Sequence, residues 1–242
     1  MKHNKTVRAL TPILFLPLAL SVAWSIPDSL YGQQAPVPPG MTSLFDGKTL
    51  KGWIDQENDK GSTAGWVVTN GVIASTGAGR GTLYTAGDYS HYRLLLTMRH
   101  VSGRPDHPAA VLFFCERPKD GKEPLDALGA IQFMIPQGYH WDYRPGHAGG
   151  GGPEFKTVAK GTAKAGEWSS VEILVDAAKG TARLAVAQPP GAKAVELLDY
   201  KLPVAGKAGP IGLQMHNGGL FDEYKDIMIE VDPKVDDLIT TK

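Results

Sequence analysis

Proton-transfer chemistry needs a side chain that titrates near neutrality, and His216 is the first candidate in this sequence of 242 residues. It closes the segment Ile211 to His216. Alternation there puts Ile211, Leu213 and Met215 on a core face and Gly212, Gln214 and His216 on the opposite one. Ala130 to Ile135 alternates in the same way, with Gln132 set opposite Ile131, Phe133 and Ile135. Near the C-terminus Glu223 and Lys225 alternate against Asp222, Tyr224 and Asp226, and Arg99 lies on the polar side of Tyr92 to Val101 with Arg93 and Thr97. If these strands are neighbours in one sheet, Gln132, Gln214, His216, Glu223, Lys225 and Arg99 line one groove holding a base, cations and amides. Glu223 is the alternative base, and the two glutamines would only orient a ligand. Each also has a plainer reading: a structural histidine in the turn His216-Asn217-Gly218-Gly219, a solvated strand carboxylate at Glu223, and a salt bridge from Lys225 to Glu223.

A second constellation is Gly138 to His147, which packs His140, Trp141, Asp142, Tyr143 and Arg144 into a glycine-bounded stretch. Aromatic rings stack on sugar faces while Asp and Arg reach hydroxyl groups, so these residues suit a lid over a carbohydrate groove. Gly149 to Gly152 would be its hinge. The plainer alternative is a loop whose Trp141 and Tyr143 plug a sheet edge. His140, Asp142 and His147 match no standard ligand spacing, so neither a metal nor another cofactor is expected. Asp46-Gly47-Lys48-Thr49 contains Gly-Lys-Thr but lacks the glycine loop and helix of a nucleotide site. Cys115 reads as an inert buried thiol.

The elements that must hold these residues are short strands. With 29 Gly and 18 Pro, turn formers are too frequent for a helical bundle. Trp66 to Thr69 and Val72 to Ser75 flank Asn70-Gly71, the preferred hairpin turn. Ala109 to Glu116 is apolar throughout, as a strand covered on both faces would be. No long window keeps a 3.6-residue period, and Glu123 to Leu128 is the best short helix candidate. The pattern predicts one all-β domain, an antiparallel β-sandwich over residues 43 to 242. Lys+Arg and Asp+Glu both number 25, which argues against a nucleic-acid partner. Residues 1 to 25 read as a secretory signal: three basic residues, the uncharged run Ala9 to Ala23, then small residues. Its 15 apolar residues with Pro12 and Pro17 are short for a membrane span. Removal leaves a net charge of −3, since 22 basic residues then face 25 acidic ones. Residues 26 to 42 read as a Pro-rich flexible leader, so the mature protein is expected outside the cytoplasm with no span.

Leu44-Phe45-Asp46-Gly47-Lys48-Thr49-Leu50-Lys51-Gly52-Trp53 resembles the opening motif of the 3-keto-disaccharide hydrolase family. Further matches follow in the family's order: Gly65-Trp66-Val67-Val68, Gly81-Thr82-Leu83-Tyr84-Thr85, Gly166-Glu167-Trp168, Gly209-Pro210-Ile211-Gly212-Leu213-Gln214-Met215-His216 and Tyr224-Lys225-Asp226-Ile227. The resemblance covers residues 43 to 231 and implies a concanavalin A-like jelly roll. The chain departs from it where the family's E-x-Q-x-x-D strand reads Ala130-Ile131-Gln132-Phe133-Met134-Ile135: the Gln stays and both carboxylates go.

The resemblance implies cleavage of glucosides already oxidised to a ketone at C3. That ketone acidifies the C2 hydrogen, so a base can remove it while the glycosidic oxygen leaves C1, and water then adds. His216 or Glu223 would be the base, and Lys225 would polarise the ketone oxygen. The expected ligand is a small carbohydrate. Two other readings stay open: a non-catalytic carbohydrate-binding sandwich, and an interaction module whose groove is made apolar by Leu112, Phe114 and Met134.

Overall fold

The computed structural model describes residues 33–55, 65–103, 110–117, 128, 130–134, 140–143, 154–157, 163–201 and 208–242. The signal-like segment, Arg144, the glycine hinge and nearly all of the helix candidate lie outside them. The strands are β1 (Thr42–Ser43), β2 (Trp53–Asp55), β3 (Trp66–Thr69), β4 (Val72–Ser75), β5 (Gly81–Thr85), β6 (His91–Ser102), β7 (Ala110–Phe113) and β8 (Ile131–Met134). There follow β9 (His140–Tyr143), β10 (Glu154–Thr157), β11 (Ser169–Asp176), β12 (Thr181–Ala187), β13 (Val195–Lys201), β14 (Gly212–Met215) and β15 (Phe221–Val231). No helix occurs among the described residues, so none there is long and apolar enough to cross a membrane.

Two antiparallel sheets face each other. The eight-stranded sheet runs β13-β12-β11-β6-β15-β4-β3, with β1 added beside β15, and the seven-stranded sheet runs β10-β9-β8-β7-β14-β5-β2. Sequence alternation accounts for the interior. Tyr92, Leu94, Leu96 and Met98 of β6 meet Leu213 and Met215 of β14, Phe133 of β8 and Phe113 of β7 in one core. At the β3–β4 turn Asn70 and Gly71 have φ of 47° and 75°, the paired positive values of a type I′ hairpin.

The outer face of the eight-stranded sheet is not the solvated polar face that alternation predicts. Arg93 is only 2% exposed because residues 232–242 fold back over it. Its Nε donates to Glu172 Oε1 at 2.8 Å, Nη1 pairs with Glu230, and Nη2 donates to the carbonyls of Val235 and Asp237. Glu172 in turn accepts from Thr240 N and Oγ1, while Leu238 joins Leu174, Ala185, Ala187 and Ala194 in a small outer core.

The Pro-rich stretch, expected to be loose up to residue 42, is tied down from Gln34 onward. Gln34 Nε2 donates to Gly71 O and its Oε1 accepts from Asp226 N. Ala35 N donates to Asp226 Oδ1 at 2.7 Å. Asp226 sits at φ 51° in a bulge of β15, which turns its backbone and side chain toward this strap.

Two conspicuous motifs have structural explanations. Asp46 Oδ1 accepts from the amides of Lys48 and Thr49 and Oδ2 from Thr49 Oγ1, which pulls its carboxyl down to about 2 and makes Asp46–Thr49 a turn. Gly209 packs so closely that a Cβ would stand 1.8 Å from the Cys115 carbonyl oxygen, so no larger residue fits. Cys115 itself is buried, which drives its thiol pKa far above the ordinary range.

Candidate functional site

The predicted groove splits between two sheets. Gln132 on β8 and Gln214 on β14 belong to the seven-stranded sheet, whereas Arg99 on β6 and Glu223 and Lys225 on β15 belong to the eight-stranded one. Both sets face away from the shared core. Period-2 alternation assigned each residue to the outer face of its own strand, but it carries no information on which sheet that strand joins.

On the outer face of the seven-stranded sheet Gln214 Nε2 donates to Gln132 Oε1 at 2.6 Å, and both side chains are fully buried. They meet across β7, the strand between them, which presents Ala110 and Leu112 to that face. Among the described residues Gln132 Nε2 is a buried donor with no partner. Leaving such a donor unmade costs about 1–3 kcal/mol. Ala130, where the family pattern carries a carboxylate, is buried with Ala110, Leu112, Cys115 and Leu128 and supplies only a methyl group.

His216 follows directly on β14, where continued alternation places it beyond Gln214. Its Nδ1 lies 3.0 Å from Asn217 Oδ1. The Asn217 amide is oriented by its other end, because Nδ2 donates to Gly218 O at 3.0 Å. Asn217 Oδ1 thus faces the ring and holds the imidazole in one orientation through Nδ1. A side chain that the sequence offers equally as a turn histidine is oriented by its neighbour, as a positioned general base must be.

The aromatic constellation is a strand rather than a lid over His140–Tyr143. His140–Tyr143 form β9, with Asp142 opposite Gln132 and Trp141 opposite Phe133. Pairing with β8 and β10 holds this backbone in the sheet; Arg144 and the rest of the proposed lid lie outside the described residues. The interaction-module reading loses its exposed groove as well, since Leu112 is fully buried and Phe114 packs into the main core.

The other set forms its own cleft, of about 280 Å³, on the outer face of the eight-stranded sheet. Arg99 Nε donates to Glu223 Oε2 at 2.6 Å, a directly cross-strand pair. The Arg99 guanidinium and the Lys225 ammonium lie 4.6 and 5.0 Å from the centre of the Trp168 ring. Glu223 is thus the partner of Arg99 rather than of Lys225, and neither Glu223 nor Lys225 shares a face with Gln132. Sequence reasoning missed Trp168 as a site residue; its signal was Gly166-Glu167-Trp168, read only as a marker of resemblance. It also missed the buried pair in which His100 Nδ1 lies 2.9 Å from Asp222 Oδ1, because that contact joins residues far apart in the chain. Among the described residues no cluster of three His, Cys, Asp or Glu forms a metal site.

Asp55, at the end of β2, is half-buried and its pKa is raised to about 6 by desolvation, against the pull of the Trp66 and Gly65 amides. It carries no assigned role in either cleft.

Solved structures with this architecture come from proteins of varied descriptions. A "putative glycosyl hydrolase" from Parabacteroides distasonis superposes with a TM-score of 0.54 at 19% identity, over 80% of this chain and 95% of that one. The carbohydrate-binding module CBM66 from Bacillus subtilis gives 0.51 at 11%, over 74% and 95%. The exoplasmic/lumenal domain of VIP36, solved with Ca²⁺ and Man3GlcNAc, gives 0.54 at 9%, over 84% and 93%. At these identities the likeness establishes the fold, a lectin-like concanavalin β-sandwich, and nothing finer. No curated protein matches in sequence. Residues 40–230, most of the chain, match the 3-keto-alpha-glucoside-1,2-lyase-like domain, and the chain belongs to that carbohydrate-related family.

Proposed function

We propose that this protein is an exported enzyme that cleaves 3-keto-glucosides by elimination and hydration, with His216 as the general base. The observation that carries the reading is the placement of His216, directly after β14 on the side of Gln214, with Nδ1 held 3.0 Å from Asn217 Oδ1. Family membership supports the substrate class. The His216 imidazole takes the proton from C2, whose acidity comes from the C3 ketone. The electron pair forms the C1–C2 double bond as the C1–oxygen bond breaks, and the leaving oxygen picks up a proton. Water then adds across that double bond, which completes a net hydrolysis. Gln132 and Gln214, bonded to each other on that sheet, would orient the sugar. Arg99, Glu223 and Lys225 take no part in this step, since they face out from the opposite sheet. The mature enzyme would work outside the cytoplasm, as the basic, apolar and small-residue order of residues 1 to 25 supports.

The test is turnover of 4-nitrophenyl 3-keto-glucoside by the full chain, followed as nitrophenol release. General bases contribute roughly 10²–10⁴-fold, so His216→Ala should lose at least about a hundredfold. Unchanged turnover in that variant would remove His216 from the mechanism. The methyl group at Ala130 in an apolar pocket favours a second reading, a binding domain without catalysis. Measurable sugar binding with no turnover would decide for it.

A further inference from the structure

We propose that the cleft on the outer face of the eight-stranded sheet is a second ligand site, for a neutral, hydroxyl-rich saccharide unit. Its residues are separate from those of the His216 site, and the proposal stands whether or not that site is catalytic.

The first reason is preorganisation. Arg99 and Lys225 have long side chains that would ordinarily lose rotamer freedom on binding. Here the Trp168 ring holds both cationic ends, and Glu223 fixes the guanidinium through Nε. The remaining guanidinium nitrogens of Arg99 make no hydrogen bond among the described residues, and the nearest carboxylate oxygen to Lys225 Nζ is 3.8 Å away, on Asp226. Fixed donors with spare capacity thus line the cleft beside an acceptor, Glu223.

The second reason concerns which ligand fits. Arg99 and Lys225 bring two positive charges, and Glu223 and Asp226 bring two negative ones, so the local charge cancels. A phosphate or a free carboxylate gains little there. A sugar hydroxyl both donates and accepts, and it matches a surface of guanidinium, ammonium and carboxylate in a cleft that Asn70 and Gln33 also line. The cleft, of about 280 Å³, lies at the small end of ligand sites, roughly 300–1,000 Å³, which suits one sugar ring rather than a long chain.

The strap completes the site. Gln34 bridges the Gly71 carbonyl and the Asp226 amide, so residues 33 and 34 become one wall of the cleft and the type I′ turn becomes another.

The experiment follows the indole N–H resonance of Trp168, assigned with Trp168→Phe, while methyl β-D-glucopyranoside is titrated into the full chain. The expected result is a saturable shift with a Kd in the millimolar range. Lys225→Gln and Asn70→Gly should each weaken binding about tenfold. Glycine accepts the positive φ of Asn70, so the latter removes the amide without breaking the turn. His216→Ala should leave the shift intact, which separates this site from the turnover assay. The melting temperature of each variant confirms that it is folded. No shift at 100-fold excess over protein at millimolar sugar, or a shift indifferent to both substitutions, would overturn the proposal. A stronger response to methyl glucuronide or sulfate would overturn the neutral-ligand assignment.

Discussion

Replacing Gln132 and Gln214 with leucine, singly and together, separates a structural amide pair from a functional one. The wild-type pair leaves one buried donor unmade, Gln132 Nε2, and makes one short bond of 2.6 Å. Gln132→Leu removes the Gln132 Nε2 donor together with the acceptor of the 2.6 Å bond. The net cost is the lost bond, about 0.5–1.5 kcal/mol. Gln214→Leu strands both ends of Gln132 and should cost more, about 1–3 kcal/mol. The double variant removes both amides at once, and leucine is close to glutamine in volume. It should be neutral or more stable by up to about 2 kcal/mol, which for a domain of this size raises Tm by at most roughly 8 °C. Function should move the other way, with glycoside cleavage or sugar binding at the His216 site falling at least tenfold. Denaturant midpoints and turnover are measured on the same preparations. A double variant destabilised by more than about 2 kcal/mol would show that the amides hold the sheet rather than a ligand, and undiminished turnover would remove them from the site.

Glu172→Ala should be the most damaging single change on the opposite face, because it leaves the buried Arg93 with Glu230 as its one remaining carboxylate among the described residues and releases the amides of Ile239 and Thr240. Breaking a buried ion pair in this way costs about 3–5 kcal/mol; thermal unfolding reads it, and the double variant Arg93→Met/Glu172→Leu should recover part of the loss. Asp55→Asn should stabilise the protein at pH 8 and have little effect near pH 4. The folded carboxyl titrates near 6 against 3.8 when unperturbed, so burial penalises the charged form above that window and the penalty disappears as pH falls through it. Urea midpoints for both proteins across this pH range check the sign.

The strands were legible because their alternation is a local property of the chain. Trp66 to Ser75 shows its hairpin through Asn70-Gly71, whose small polar and glycine residues accept the positive φ angles found there. Tyr92 to Met98 shows its inner face through every second residue, and the ordered motifs from Leu44 to Ile227 carry the family. Whether Arg93 is dry could not be read this way, since its burial depends on residues more than 130 positions later folding back on it.

The site divides along the same line. Composition and motif order, both properties of the sequence by itself, determined an all-β sandwich of a carbohydrate-related family and named His216, Gln132 and Gln214. Only the tertiary structure decided that Arg99, Glu223 and Lys225 form a different cleft with Trp168, that the two glutamines bond to one another, and that His216 Nδ1 sits against Asn217 Oδ1. Period two tells which face of a strand a side chain takes, but the sheet that strand enters is set by pairings between distant segments. The β6–β15 pairing joins Arg99 to Glu223 across 124 residues of chain, and no local pattern encodes it.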